Sequence, residues 1–301
     1  QPWIELLLKY KSGPKRIEDL DKDDLGGFSI DEIKIFKEFV KKGLFKGDFP
    51  LYMHQYNMLR KALAGENCVI TSGTGSGKTE SFLMPLFAYL LKDLSKYIST
   101  PSSVNSNGPH TKGLGYKKGV LINDSVDGKL SDSVLQRNNE TRPNAIKAII
   151  VYPMNALVED QMTRLRQSLD SDNIRKYCKK NLNGHRIFFG RYNSSAPVSG
   201  NLCTIGDDGQ TIRNQSKWNQ LEKELKSIQN NYDQILSYLE SEPKITALKK
   251  EEIVSNFQRL DGAEMRSRFD MQQTPPDLLI TNFSMLSIML MRSLEQKMLE
   301  Q

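Results

Sequence analysis

The segment Ile70-Thr71-Ser72-Gly73-Thr74-Gly75-Ser76-Gly77-Lys78-Thr79 constrains this chain more than any other. Gly73, Gly75 and Gly77 can adopt backbone angles closed to other residues, so successive N–H groups can turn inward around a β-phosphate while a helix starts behind them. Lys78 then reaches the β- and γ-phosphates, and the Thr79 hydroxyl ligates Mg²⁺. The flanks supply the required context. Asn67-Cys68-Val69-Ile70 reads as a strand in front, and Phe82-Leu83-Met84-Pro85-Leu86-Phe87 reads as a helix behind. The expectation is a P-loop that binds a nucleoside triphosphate through Ser72, Gly73, Thr74, Gly75, Ser76, Gly77, Lys78 and Thr79, with Lys78 and Thr79 the catalytic residues and Thr79 the metal ligand.

The rest of the composition narrows the class without naming it. A chain of 301 residues, 38% apolar and 26% charged, reads as an ordinary soluble globular protein with room for one large domain or two small ones. Its longest apolar stretches fall far short of the ~20 residues that span a bilayer, and no basic-then-apolar leader precedes a cleavage site, so no membrane partner and a cytoplasmic location are expected. Cys68, Cys178 and Cys203 lack C-x-x-C spacing and His54, His110 and His185 are scattered, which supports neither a disulfide framework nor a zinc site. Cys68 reads as a small apolar residue in a buried strand. The net charge of +6 is compatible with a phosphate-backbone partner and weak as a signal by itself. The first residue is Gln and the last ten look helical with no stop signal, so the chain reads as a piece of a longer protein.

Organisation follows from periodicity. Residues 1–50 form a helical lead-in whose clearest start is Ser29-Ile30-Asp31-Glu32, a capping box with Phe28 and Ile33 placed as a hydrophobic staple. From Pro50 onward, apolar runs at Cys68 to Ile70, Ala145 to Tyr152, Arg186 to Tyr192 and Asp277 to Thr281 alternate with helical stretches. That argues an α/β fold, a parallel sheet with helices on both faces, over residues 51–301. Two segments interrupt it. Residues 99–142, rich in Ser, Asn, Gly and Lys, read as a flexible insertion. Residues 214–262 read as a helical insertion: Trp218, Leu221, Leu225, Ile228, Tyr232, Ile235 and Leu239 form a heptad seam, Pro243 ends it, and Leu248 to Leu260 could return as a second helix. A hairpin projecting from the domain and two helices folded onto its surface fit this pattern equally.

Three further sequences go beyond the P-loop. Gln55, within Leu51-Tyr52-Met53-His54-Gln55, can offer its carboxamide to an adenine edge, which favours ATP. Ala148-Ile149-Ile150-Val151-Tyr152-Pro153-Met154-Asn155-Ala156-Leu157-Val158-Glu159-Asp160-Gln161 is a strand, a turn and a helix start whose N–H groups suit a nucleic-acid phosphate. Pro276-Asp277-Leu278-Leu279-Ile280-Thr281-Asn282-Phe283-Ser284-Met285-Leu286 repeats the design.

In this order the motifs resemble superfamily 2 helicases: motif I at Ser72 to Thr79, motif Ia at Pro153 to Gln161, and the Thr-containing motif before the DExH box at Thr281 to Leu286. Together with Phe189-Gly190-Arg191-Tyr192-Asn193, their wording looks like the large bacterial DEAD/DEAH-box helicases of antiphage defence systems such as DISARM and Druantia, relatives of the repair helicase MrfA. The likeness runs from Leu51 to about Arg292. It implies a first RecA-like domain using ATP and Mg²⁺, and a single DNA strand tracked by Pro153, Met154, Asn155, Ala156, Thr281 and Asn282, with Gly190 and Arg191 near that strand. It also implies a possible defence-system partner subunit. Similar helicases carry a proline where Pro85 stands, so a tolerated kink is expected there.

The sequence departs from the pattern in one respect. No apolar run ends in Asp-Glu-x-His or Asp-Glu-x-Asp, and Asp31-Glu32-Ile33-Lys34 belongs to the capping box. The domain therefore reads as incomplete, ending before the DExH box and the second RecA-like domain, and this piece alone is expected to bind ATP without hydrolysing it. Two rival readings stay open: an ATP-dependent clamp or scaffold module, and the motor subunit of a restriction-like complex.

Overall fold

The computed structural model describes residues 10–45, 47–73, 75–100, 116–117, 120–121, 125–126, 129–130, 136–137, 140–205 and 211–300. Contacts divide the chain into two compact units, Gln1–Lys96 and Tyr97–Gln301.

The first unit is built on three helices. The predicted capping box starts α1 (Ile30–Gly43): Ser29 Oγ accepts from the Glu32 N–H at 3.2 Å, and the Ser29 N–H donates to Glu32 Oε2 at 2.7 Å. Phe28 and Ile33 are both buried, as the staple requires. Helix α3 (Lys78–Ser95) is the hub, because it packs against both α1 and α2 (Met53–Leu63). Leu83, Met84, Phe87, Ala88, Leu91 and Leu94 are buried in α3, and Phe87 meets Phe39 of α1 edge-on with centroids 6.3 Å apart. The helix runs through Pro85 unbroken, although Pro85 has no N–H to return to the Ser81 carbonyl.

One predicted strand is absent. Cys68 to Ile70 forms no ladder, Val69 is 91% exposed and Cys68 is half-buried rather than buried. An apolar run becomes a strand only where a neighbouring strand takes its N–H and C=O groups, and composition says nothing about that neighbour.

The second unit holds the sheet. Two short antiparallel hairpins come first, β1 (Tyr116–Lys117) with β2 (Val120–Leu121) and β3 (Ser125–Val126) with β4 (Lys129–Leu130). The remainder of residues 101–135, His110 included, lies outside the described residues. Then follow β5 (Ala148–Tyr152), α4 (Asn155–Leu169), α5 (Asp172–Asn181), β6 (Phe189–Tyr192), the hairpin of β7 (Cys203–Ile205) with β8 (Thr211–Arg213), α6 (Gln215–Ser241), α7 (Ala247–Val254), α8 (Arg268–Gln273), β9 (Leu278–Asn282), α9 (Phe283–Met291) and α10 (Ser293–Leu299). The three predicted strands other than Cys68 to Ile70 therefore form, with β9 in the centre of a parallel sheet ordered β5-β9-β6. Leu278, Leu279 and Ile280 are fully buried in β9, as a parallel strand covered on both faces demands.

The segment read as an insertion ends earlier than expected. Gln136, Arg137, Glu140 and Arg142 are buried, and Arg142 reaches Asp277 at 2.8 Å while the Arg137 guanidinium lies 4.6 Å from the Phe188 ring centroid. Its two flanks are tied by one residue. Buried His185 faces Glu140 Oε1 through Nδ1 at 2.6 Å and the Thr100 carbonyl through Nε2 at 2.8 Å, an arrangement that favours the imidazole with both nitrogens protonated.

The helical insertion resolves into two behaviours. Trp218, Leu221 and Leu225 of α6 pack into the body of the unit against Val198, Leu202, Leu260 and Phe269, so the first half of the seam lies on the domain. The second half meets α7, which stops at Val254, and a cavity of about 430 Å³ lies between α5, α6 and α7. The return helix is shorter than the predicted Leu248 to Leu260, and Leu248 is exposed.

Two outcomes follow from these contacts. Burial disfavours the charged His185, but the Glu140 carboxylate outweighs it and raises the pKa above the ordinary value. A raised folded pKa gives stability that is complete below the ordinary ~6.5 and lost as pH rises through the folded value, with a slope of at most ~1.4 kcal/mol per pH unit in between. Denaturant titrations at stepped pH should show that loss, and His185→Leu should flatten it. Leu225→Asp should cost more than ~3 kcal/mol by burying a charge among Val198, Leu202 and Phe269, melting the body of the second unit and not merely an arm. Near-UV circular dichroism that keeps its folded signal in that variant would contradict the packing.

Candidate functional site

The loop between α2 and α3 has the geometry its glycines were read to provide. Gly75 and Gly77 have φ of 76° and 72°, in the left-handed region, and Gly77 is the N-cap of α3. Lys78 and Thr79 are thus the first two residues of that helix, where N–H groups lack intrahelical partners. The Ser72 and Ser76 hydroxyls are hydrogen-bonded at 2.6 Å across the loop, and exposed Lys78 donates from Nζ to the Ser72 carbonyl at 2.7 Å. Thr74 lies outside the described residues.

Residues of α2 brace this loop from behind. His54 Nε2 donates to the Ser76 carbonyl at 2.8 Å. Gln55, buried, accepts the Tyr52 N–H on Oε1 at 2.9 Å and donates from Nε2 to the Gly77 carbonyl at 3.3 Å. Its carboxamide, read as a contact for adenine, therefore also holds the last residue of the loop in place. Tyr52 and His54 stack with centroids 5.6 Å apart, and Tyr10 meets both edge-on at 5.6 and 6.0 Å. The sequence reading missed this aromatic group. A side chain at position 73 would meet Tyr10 Oη, and one at position 77 would collide with Gln55 Nε2.

In the second unit the other predicted residues gather where the three parallel strands end, because the register sets Tyr152 opposite Asn282 and Tyr192 opposite Thr281. Open parallel sheets bind ligands at this edge. Pro153, Met154, Asn155 and Ala156 are exposed there, and Met154 stands at the N-cap of α4 without a side-chain hydrogen bond, so no cap side chain takes the first-turn N–H groups. Asn282 caps α9 through its Oδ1, which takes the Met285 N–H at 2.7 Å.

Three predicted residues are also engaged within the fold. Thr281 is fully buried and its hydroxyl donates to the Tyr192 carbonyl at 2.6 Å, which couples β9 to the end of β6 and leaves the hydroxyl no path to a phosphate. Gly190 is buried in mid-strand, and a Cβ there would approach Met271 Sδ to 2.6 Å and Met265 Cβ to 2.9 Å, so the position admits no side chain. Arg191 is half-exposed and paired with Glu159 of α4, which offsets its charge. Asn193, on the strand-end edge, belongs to the Phe189 to Asn193 motif, where the sequence gives it no role of its own. The available signal was positional: Asn155, Asn193 and Asn282 each stand at or just beyond the end of a parallel strand.

Among the described residues no group of three or more His, Cys, Asp or Glu is placed to hold a metal ion, and no helix is long and apolar enough to cross a membrane. Buried Cys178 has its thiol pushed up to about 12 by burial and is unreactive. Gly75→Ala should destabilise the first unit by ~1–2 kcal/mol through left-handed strain alone, since nothing crowds its Cβ position. Gly77→Ala should cost more, because it adds the collision with Gln55. Equal unfolding midpoints for the two variants would show that the brace carries no weight.

Comparison with known proteins adds two findings. The DEAD/DEAH box helicase family model matches residues 52–187. The Druantia protein DruE of Escherichia coli (strain UMEA 4076-1) is 27% identical over 272 residues, which is 83% of this chain and 13% of that protein, so the chain spans about an eighth of its relative's length. No solved structure matches. Residues 52–187 match the DEAD/DEAH box helicase pattern, and along most of its length the chain is similar to the Druantia protein DruE.

Proposed function

We propose that the chain supplies the ATP-binding part of the first motor domain of a superfamily 2 DNA helicase or translocase, acting in the cytoplasm of a bacterium as part of antiphage defence. The observation that carries this reading is the loop from Ser72 to Thr79, in which two left-handed glycines turn the backbone into the N-terminus of α3 beside an exposed lysine. The donor set fits ATP and Mg²⁺. Lys78 holds only a carbonyl of its own loop, which a phosphate oxygen can replace, and the half-buried Thr79 hydroxyl has no protein partner among the described residues. The aromatic faces of Tyr52 and His54, beside Gln55, suit a purine.

When bound, Mg²⁺ would neutralise charge on the β- and γ-phosphates; the chain's own residues orient them. Gln55 and His54 keep the loop's carbonyls turned away from the phosphate side, so that its N–H groups face it. The exposed strand-end edge, with uncapped α4, suits contacts to the phosphates of one nucleic-acid strand.

The carboxylates that hold the metal and direct the attacking water belong, in this reading, to a further strand. Strand β5 supports it: it lies at the edge of the sheet order with Ile149 40% and Val151 41% exposed, where a parallel strand is ordinarily covered. We therefore expect this chain to bind ATP without turning it over. Titration with a labelled ATP analogue should give measurable affinity, and Lys78→Ala should weaken it at least ~tenfold, since a charged hydrogen-bonding contact contributes ~1.5 to 3 kcal/mol. Steady phosphate release abolished by Lys78→Ala would instead place the catalytic carboxylate within these residues. In the full-length protein, ATPase stimulation by DNA marks a motor, and its absence marks a clamp or scaffold module.

A further inference from the structure

Three asparagines meet at the strand-end edge of the second unit. Asn155 opens α4, Asn193 follows β6 directly, and Asn282 ends β9. Asn155 Oδ1 accepts from Asn193 Nδ2 at 3.2 Å and from Asn282 Nδ2 at 2.7 Å. A carboxamide oxygen has two lone pairs, so this one is saturated.

The amide and oxygen ends of an asparagine have nearly the same shape, and only their partners decide which way it faces. Here the partners are themselves fixed. Asn193 is fully buried and its Oδ1 takes the backbone N–H groups of Ser195 at 3.1 Å and Ala196 at 3.2 Å. Asn282 Oδ1 takes the Met285 N–H at 2.7 Å. Backbone N–H groups only donate, so neither asparagine can turn over without setting donor against donor, and each must present its NH₂ to Asn155. Turning Asn155 over would oppose its NH₂ to two others. Its orientation is therefore dictated, with oxygen inward and an NH₂ that has no protein partner among the described residues, on an exposed residue beside the uncapped start of α4.

We infer that Asn193, together with Asn282, is a positioning residue that holds the Asn155 carboxamide as a fixed, uncharged N–H donor to a nucleic-acid phosphate. The inference rests on the reading of this edge as the strand-tracking surface. A neutral donor displaces no counterion, so it adds affinity without adding to the salt dependence of binding, unlike a lysine or arginine.

The test uses the full-length protein and a fluorescein-labelled single-stranded oligothymidylate, with affinity read by anisotropy over a salt series. Asn193→Asp keeps an oxygen for Ser195 and Ala196 but opposes its second oxygen to Asn155 Oδ1, which turns the Asn155 oxygen outward. Asn282→Asp does the same from the other side while retaining a good helix cap, and it serves where a buried aspartate at 193 prevents folding. Each should weaken oligonucleotide binding by at least ~3-fold, the scale of one neutral hydrogen bond, with unchanged ATP-analogue affinity. On an Asn155→Ala background each should weaken binding less, by only the repulsion of its added charge. Weakening of the same size on that background, or none in the single variants when Asn155→Ala itself weakens binding, would overturn the positioning role. Wild-type affinity that Asn155→Ala leaves unchanged, or no binding at all, would overturn the strand-tracking reading beneath it.

Discussion

A carboxylate sealed from water is tolerated only where its charge is met, and in the second unit Asp277 imposes that condition on two separate stretches of chain. It stands one residue before β9, fully buried, and takes the Phe188 N–H at 2.8 Å, Arg142 at 2.8 and 3.1 Å, and Arg137 at 3.4 Å. Burial would raise its pKa, but the two arginines outweigh that and hold it below the ordinary carboxylate value. The bond to Phe188 sets the start of β6 against the start of β9, and Arg137 and Arg142 are fastened to the same carboxylate. Because side chains alternate strictly along a strand, this local fixing determines which residues arrive together at the far end. The encounter of Asn155, Asn193 and Asn282 is therefore a consequence of register established at the opposite edge of the sheet.

The strands and caps that depend on local pattern were legible in the sequence. Ser29 to Glu32 capped α1 as written, three of four apolar runs became parallel strands, and the alternating glycines gave left-handed angles at Gly75 and Gly77. What escaped were facts about partners. Cys68 to Ile70 has strand composition without a ladder; the heptads of α6 fit a helical partner and a domain surface equally, and half of them took the surface. Gly190 and Arg191 sit in a motif; one also packs under Met265 and Met271, and the other is also matched by Glu159. His185 shows the limit most clearly, since its two partners lie 85 and 45 residues away along the chain and no spacing rule joins them.

The apolar surface of the second unit has a similar physical logic. Helix α9 is apolar nearly all round, and Phe283, Leu290 and Met291 are 69%, 68% and 79% exposed, with Met289 alone of its residues buried. A helix without a polar face is stable only when covered. It adjoins β5, whose exposed Ile149 and Val151 lie on one face of an edge strand. Helix and strand thus leave neighbouring apolar side chains uncovered, an exposed apolar surface of the kind that ordinarily meets a partner.

If the strand-end edge follows a moving strand, the kind of contact it offers matters as much as the number. A motor must release each phosphate as readily as it takes it, and a fully charged contact holds more strongly and with greater dependence on salt than a neutral amide does. Arg191 of β6 is matched by Glu159, and the exposed turn from Pro153 to Ala156 contributes backbone N–H groups and one carboxamide. Such donors read no base, because a phosphate looks the same on every nucleotide. Their precision comes instead from being unable to rotate, and that rigidity is what the buried Asn193 supplies at a point where the exposed residues could not supply it themselves.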